Sequence, residues 1–127
     1  MSDKVKVEME MLLNASPKSL YNMISTPAGL SEWFADDVNV RDKDFTFIWD
    51  GSEETARLLA KSKDTAVKFR WDYDEDEPYY FELRIKVDPI TRETALIITD
   101  FAEEGDEDST RNLWESQVDD LRRVLGA

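Results

Sequence analysis

The sequence predicts an α+β protein in which a curved antiparallel sheet of about six or seven strands wraps around a long C-terminal helix. Three patterns lead to this fold class. Alternating apolar and polar residues mark the strands, two pairs of a capping residue and a proline mark two short helices after the first strand, and a continuous apolar stripe marks the last helix.

The N-terminal part of the chain predicts one strand and two short helices. Residues 4–13 alternate between the two faces, with charged side chains on one face and, on the other, Val5, Val7, Met9 and Met11. This period of two is typical of a half-buried strand. Ser16-Pro17 and Thr26-Pro27 each place a capping hydroxyl before a proline at the first helical position, where the missing N–H costs nothing.

From Val38 onward the period of two returns and predicts a series of strands. Short turns separate them, with Asp50-Gly51 as a strong hairpin signal and Asp88-Pro89 as a break, so the strands should form an antiparallel meander. In the predicted strand 54–61, the pattern does not fix which side chains face the core, because Leu58 and Leu59 are adjacent. The segments that alternate in this way are residues 45–49, 54–61, 67–73, 79–87 and 94–101.

The C-terminal residues predict one long helix. Asp106 or Asp108 can cap its start, basic residues lie near its end, and Gly126 is a natural stop. One stripe of apolar residues runs along it, formed by Trp114, Val118, Leu121 and Leu125. Because the sheet carries many aromatic residues on one face, that face must be covered, and this helix is the only element long enough to cover it.

Composition excludes several classes of function. With 127 residues the chain fits one domain, residues 1–127, and its net charge of −13 disfavours nucleic acid and anionic membranes as partners. No window suits a membrane span or a signal peptide, so a cytoplasmic location is the default expectation. The chain has no cysteine and no histidine, which removes disulfides, catalytic triads and histidine-ligated metals. No cofactor and no metal are expected.

Residues 26–38, with the sequence TPAGLSEWFADDV, support a specific resemblance. Together with the order of elements and the C-terminal WESQVDDLRRVLG, they resemble the START-like (SRPBCC) helix-grip superfamily. Within it the chain is most similar to the branch of AHSA-type domains, which are related to activators of a heat-shock chaperone's ATPase. The resemblance covers essentially the whole chain and implies the helix-grip fold, often with a cavity between the last helix and the sheet that takes lipid-like, polyketide-like or other apolar molecules.

The resemblance also implies which residues would line such a cavity. The strands would supply Phe47, Trp49, Phe69, Trp71, Phe81, Leu83 and Ile85, and the helix would supply Trp114, Gln117, Val118 and Leu121. Gln117 is the polar residue expected to face a ligand. Trp33 and Phe34 on the second short helix would lie near the cavity mouth, either as a gate or as anchors of that helix. The simpler interpretation is that these aromatics fill the core completely.

Other candidate sites are weaker. Asp36 and Asp37 are adjacent and point to opposite sides, which suits turn residues better than a shared acid–base or cation site. Residues 72–77 begin like a calcium loop, but Glu77 stands where glycine is needed, so a solvated hairpin tip is expected. Arg57 and Tyr73 are conceivable catalytic groups, although nothing converges on them.

Three functions follow from these observations. The first is non-catalytic binding of a hydrophobic or amphipathic small molecule, as the resemblance and the aromatic inner faces imply. The second is a protein-interaction role like that of the chaperone activators, with a basic partner attracted to the acidic surface. The third is a cyclase-like or hydrolase-like enzyme, which would have to rely on carboxylates, tyrosine, lysine or arginine because histidine and cysteine are absent.

Overall fold

The computed structural model describes residues 3–127, and its elements confirm the predicted fold class. The three α-helices of these residues are α1 Pro17–Ser25, α2 Pro27–Trp33 and α3 Glu107–Leu125. The strands are β1 Lys4–Leu13, β2 Asp37–Arg41, β3 Asp44–Trp49, β4 Ser52–Ser62, β5 Ala66–Trp71, β6 Phe81–Val87 and β7 Thr94–Glu103. No helix within residues 3–127 has both the length and the apolar character needed to cross a bilayer.

The strands form one antiparallel sheet in the order β1-β7-β6-β5-β4-β3-β2. From β2 to β7 the sheet is the predicted meander, and β1 completes it by pairing with β7. Asp50 and Gly51 both have positive φ, 43° and 87°, as the tight turn between β3 and β4 requires. A register shift between Leu58 and Ala60 interrupts the β4–β5 pairing, at the point where the sequence blurred the facing of that strand.

The two short helices are capped as the sequence predicted. The Ser16 hydroxyl accepts a hydrogen bond from the Ser19 N–H (3.1 Å), and the Thr26 hydroxyl accepts one from the Gly29 N–H (2.9 Å). The Thr26 hydroxyl also donates to the Asn22 carbonyl (2.7 Å), so one side chain joins the end of α1 to the start of α2. A Cβ at Gly29 would lie 2.7 Å from the Met23 Cα, and this close approach of the helices requires glycine.

Helix α3 covers the concave face of the sheet through its predicted stripe. Trp114, Val118 and Leu121 are buried, Leu125 packs at the edge of the core, and Gly126 ends the helix with a φ of 69°. Two arginines fix the helix against the first strand, because Arg111 donates to the Glu8 carbonyl (2.9 Å) and Arg122 donates to the Leu12 carbonyl (3.1 Å). Asp106 is the N-cap residue, although its side chain accepts no capping hydrogen bond.

The segment between β5 and β6 differs from the prediction. Tyr73 and Tyr79 were expected on strands, but β5 ends at Trp71, a short 3-10 helix follows at Asp72–Asp74, and β6 begins only at Phe81. Acidic residues are disfavoured in strands, and Pro78 has no N–H to donate to a ladder. The expected solvated tip is also wrong at Asp74, which is 7% exposed and pairs with the Lys4 ammonium at 3.6 Å.

We expect Thr26→Ala to lower the free energy of unfolding by about 1 kcal/mol, because the Gly29 N–H then loses its capping acceptor. Urea unfolding followed by tryptophan fluorescence measures the change. Thr26→Ser is the matched control, since it keeps the hydroxyl and should lie within about 0.5 kcal/mol of the parent. Equal losses for the two variants would show that the methyl contact, and not the cap, is what matters.

Candidate functional site

Phe34, the residue at the end of α2, is the centre of the aromatic core. Its ring contacts five other rings at centroid distances of 5.0 to 5.8 Å, those of Trp33, Phe47, Trp49, Phe81 and Trp114. Its carbonyl accepts two side-chain hydrogen bonds, from the Trp49 indole (2.6 Å) and from the Gln117 amide (3.2 Å). These contacts tie the second short helix, the sheet and α3 together at one point.

A cleft of about 500 Å³ opens beside Phe34, between the N-terminal half of α3 and one end of the sheet. Its walls come from the end of α2, the β3–β4 hairpin, the end of β5, the short 3-10 helix, β7 and α3. The lining residues are Phe34, Trp49, Ser52, Glu54, Trp71, Tyr73, Asp100, Leu113, Trp114 and Gln117. We call this the aromatic cleft.

Five aromatic rings form most of the wall of the aromatic cleft. Trp49 and Trp71 lie 6.2 Å apart, and Trp71 stacks on Tyr73 at 5.9 Å with an angle of 7° between the rings. Phe34 stacks on Trp114 at 5.6 Å and meets Trp49 edge to face at 5.4 Å. Tyr73 and Leu113 are 64% and 61% exposed, so large apolar surface remains open to solvent at this end of the sheet.

Asp100 places a carboxylate at the base of the aromatic cleft. It lies opposite the fully buried Val7 in the β1–β7 ladder and therefore faces the core side of the sheet. Its Oδ2 accepts a hydrogen bond from the Trp114 indole (2.9 Å), and its Oδ1 accepts one from the Phe101 N–H (2.8 Å). Burial raises the pKa of Asp100 above its ordinary value, and these two hydrogen bonds and the charge of Lys4 oppose that rise.

Carboxylates make the electrostatic potential around Tyr73 negative. Partial burial, and then the carboxylates of Glu54, Asp74 and Asp100, raise the pKa of the Tyr73 hydroxyl, so Tyr73 is neutral at physiological pH. The Lys4 ammonium lies 5.9 Å from the Tyr73 centroid and 5.1 Å from that of Tyr79. The chain itself thus places one cation against these aromatic rings.

The structure divides the predicted cavity residues into two groups. Phe34, Trp49, Trp71, Trp114 and Gln117 line the aromatic cleft. The others lie in the packed core or at its margins, and the rings of Phe47, Phe69 and Phe81 lie against one another or against neighbouring aromatics at 5.0 to 6.3 Å. This second group is Trp33, Phe47, Phe69, Phe81, Leu83, Ile85, Val118 and Leu121, each 7% exposed or less.

Trp33 and Phe34 both have anchoring contacts. The Trp33 indole donates to the Met23 carbonyl at 2.8 Å and thereby fixes α2 to α1, and the side chain is 5% exposed. Phe34 is 4% exposed and also forms part of the cleft wall. A second cleft of about 600 Å³ lies on the other side of the Phe34 carbonyl, where polar residues such as Asp36, Asp120 and Arg123 accompany Trp33 and Trp49.

Among the weaker candidates, Tyr73 lines the aromatic cleft, and the others lie apart from it. The Asp36 carboxylate accepts the Asp50 N–H (2.7 Å) and so supports the β3–β4 turn, in agreement with the predicted turn role. Arg57 faces outward and pairs with Asp44 at 3.4 Å, both side chains being largely exposed. Within residues 3–127, no group of acidic residues has the geometry of a metal site.

The predicted cavity set lacks five of the residues that line the aromatic cleft. Tyr73 was named only as a conceivable catalytic group, and four were not singled out at all: Ser52, Glu54, Asp100 and Leu113. Two of them carried a signal. Asp100 continues the inward-facing positions of Leu96 and Ile98, and Glu54 lies opposite the buried Phe47 in the β3–β4 ladder. At Asp100, a carboxylate at an inward position of an apolar strand is costly unless it has a partner or a role. Glu54 is exposed and carries no such cost.

The fold and the cleft define a helix-grip domain with an aromatic site between its last helix and the end of its sheet. The family model of the START-like superfamily domain matches residues 1–127. The chain therefore belongs to the START-like superfamily.

Solved structures give the same fold. The solution NMR structure of a Bacteroides fragilis protein is 41% identical, covers 98% of this chain and 92% of its own, and has a TM-score of 0.70. The Aha1 dimer from Colwellia psychrerythraea is 17% identical over 95% of this chain and 96% of its own, with a TM-score of 0.77. DynU16, from the dynemicin biosynthetic locus, is 14% identical over 96% of this chain and 47% of its own, with a TM-score of 0.77. Among curated proteins, none matches the chain.

We expect Asp100→Asn to gain stability relative to the parent as the pH rises from about 3 to about 7. Burial raises the folded-state pKa of Asp100, so the unfolded chain releases this proton first and the contribution of Asp100 to the parent's free energy of unfolding falls through that window. Urea unfolding at both pH values measures the difference between the two proteins. Asp76→Asn, at an exposed position of the acidic segment, is the control and should show no such trend. A flat difference for Asp100→Asn would contradict the raised pKa.

Proposed function

We propose that this protein binds a hydrophobic or amphipathic small molecule in the aromatic cleft and catalyses no reaction on it. The observation that carries the proposal is the aromatic cleft itself: five rings line it, Tyr73 and Leu113 are exposed beside it, and the aromatic core behind it is closed. Small-molecule sites are concave, mostly apolar, and hold a few placed polar groups. The aromatic cleft has this composition, with Gln117, Ser52 and Asp100 among its polar groups.

The size of the cleft supports a short ligand. Its volume of about 500 Å³ lies within the roughly 300–1,000 Å³ that is common for such sites. Phe47, Phe69 and Phe81 fill the space deeper between the sheet and α3, where a long acyl chain would otherwise lie. A compact amphipathic molecule therefore fits better than a long-chain lipid.

An enzyme is the least supported alternative. The START-like superfamily includes polyketide cyclases as well as non-enzymes, and the cleft contains two groups that could transfer protons, Asp100 and Tyr73. Each Asp100 oxygen already accepts a hydrogen bond from the protein, and the raised pKa of Tyr73 keeps its proton bound near neutral pH. Neither group is set up as a base for a substrate.

A protein-interaction role is the second candidate function. The observation that favours it is the filled centre of the core, because a partner-binding domain needs no interior cavity. The net charge of −13 would then attract a partner with a basic surface. Such binding would be weakened by moderate salt and would not require the rings of the aromatic cleft.

A thermal-shift and native mass-spectrometry screen with small aromatic and amphipathic compounds tests the binding proposal. A compound at about 100 times its dissociation constant should stabilise the fold by about 2.7 kcal/mol and appear as a one-to-one complex. Tyr73→Ala and Leu113→Ala should each weaken that complex about three- to tenfold, since both remove exposed apolar contact surface at low cost to folding.

The control variant is Ile90→Ala. Ile90 is 90% exposed and lies in the β6–β7 turn, outside the lining of the aromatic cleft, so its removal should leave binding unchanged. Equal effects of all three variants, or no stabilisation by any compound of the screen, would count against a ligand in this cleft.

A further inference from the structure

The charged residues that line the aromatic cleft are all acidic. Its ten lining residues include two carboxylates, Glu54 and Asp100, and no lysine or arginine. Within residues 3–127, the ion pairs of the structure leave Glu54 without a basic partner. Both carboxylates lie beside rings whose π-faces are themselves electronegative.

Five aromatic rings line the aromatic cleft and offer π-surface to a guest. Trp49, Trp71 and Tyr73 follow one another at 6.2 and 5.9 Å, and the Phe34 ring, which lies 5.4 Å from Trp49, stacks on Trp114. A cation is attracted to a ring when it lies within about 6 Å of the centroid, and tryptophan is the strongest partner. Several rings and two carboxylates around one cleft favour a positively charged guest over a neutral one of equal shape.

A small pocket beside the aromatic cleft already holds a cation, the Lys4 ammonium, among aromatic rings and a carboxylate. The Lys4 ammonium sits against the Tyr73 and Tyr79 rings and pairs with Asp74. Counting this region as a whole, one ammonium faces three carboxylates, those of Glu54, Asp74 and Asp100. Lys4 therefore leaves the local charge negative, and the lining of the aromatic cleft contains no cationic side chain.

We propose that the molecule bound in the aromatic cleft is an organic cation, an amine or quaternary ammonium group attached to a short apolar body. This inference rests on the proposed function and specifies its ligand class. The ammonium group lies among the rings within reach of Glu54 and Asp100, and the apolar body covers Leu113 and the faces of Trp49 and Trp71. The attraction combines ring quadrupoles and carboxylate charge at a partly desolvated site.

Three probes of similar size separate charge from shape. They share a phenylpropyl body and differ in the head group: phenylpropyltrimethylammonium is cationic, the dimethylamide of phenylbutanoic acid is neutral, and phenylbutanoate is anionic. Titrations at low ionic strength are followed by NMR through the four tryptophan indole N–H signals. Trp49, Trp71 and Trp114 line the cleft, and Trp33, which bonds to Met23 away from it, is the internal reference.

The expected result is that the ammonium probe shifts the cleft indoles and not that of Trp33, with affinity at least about tenfold above the neutral amide, which corresponds to about 1.4 kcal/mol. Phenylbutanoate should bind more weakly than either. Glu54→Gln should weaken the ammonium probe about three- to tenfold and leave the amide unchanged. Glu53→Gln is the matched control, because it removes the same charge from the opposite face of the same strand.

The outcomes that overturn the proposal are distinct. Equal affinity for the three probes, or equal effects of the Glu53 and Glu54 substitutions, would refute the cation preference while the proposed small-molecule function stands. Shifts of Trp33 alone would place the binding outside the cleft and refute the proposal. No shift with any probe, together with a negative thermal-shift screen, would refute both the cation preference and the small-molecule function.

Discussion

The packing of Phe34 between the sheet and α3 is the contact on which the rest of the structure depends. A helix as short as α2 is unstable alone, so it must be held by tertiary contacts. Phe34 provides them with five ring contacts and a carbonyl that accepts hydrogen bonds from both the sheet and α3. The close approach at Gly29 and the Thr26 cap set the angle at which α2 delivers this ring.

This arrangement leaves the open space at the end of the fold and not at its centre. Rings that would line a central cavity instead pack against each other, and that dense packing is the ordinary state of a protein interior. The aromatic residues nearest the β3–β4 hairpin are not covered in the same way. The α3 residue beside them, Leu113, is itself exposed, and strand β5 ends at Trp71. The opening between them is the aromatic cleft.

The carboxylates of the chain fall into two groups that differ in their exposure to solvent. Most of its carboxylates are exposed and screened by solvent and salt, so they influence solubility and long-range attraction. Asp74 and Asp100 are shielded from solvent, and their charge is met by Lys4, backbone N–H groups and the Trp114 indole. Charges in such surroundings act more strongly at short range than exposed ones do.

The sequence by itself determined the elements, their order, the caps of α1 and α2, the inward faces of the strands and the stripe of α3, because these depend on local spacing and on backbone chemistry within a few residues. It also indicated which aromatic residues face the inside of the fold. It did not determine which of them are sealed in the core and which remain accessible, nor that Lys4, Glu54, Tyr73 and Asp100 meet at one end of the sheet. Those facts depend on how distant segments pack: β1 pairs with β7, and the chain leaves the ladder at Asp72–Asp74. Only the tertiary structure decides such long-range proximity, since no local pattern encodes it.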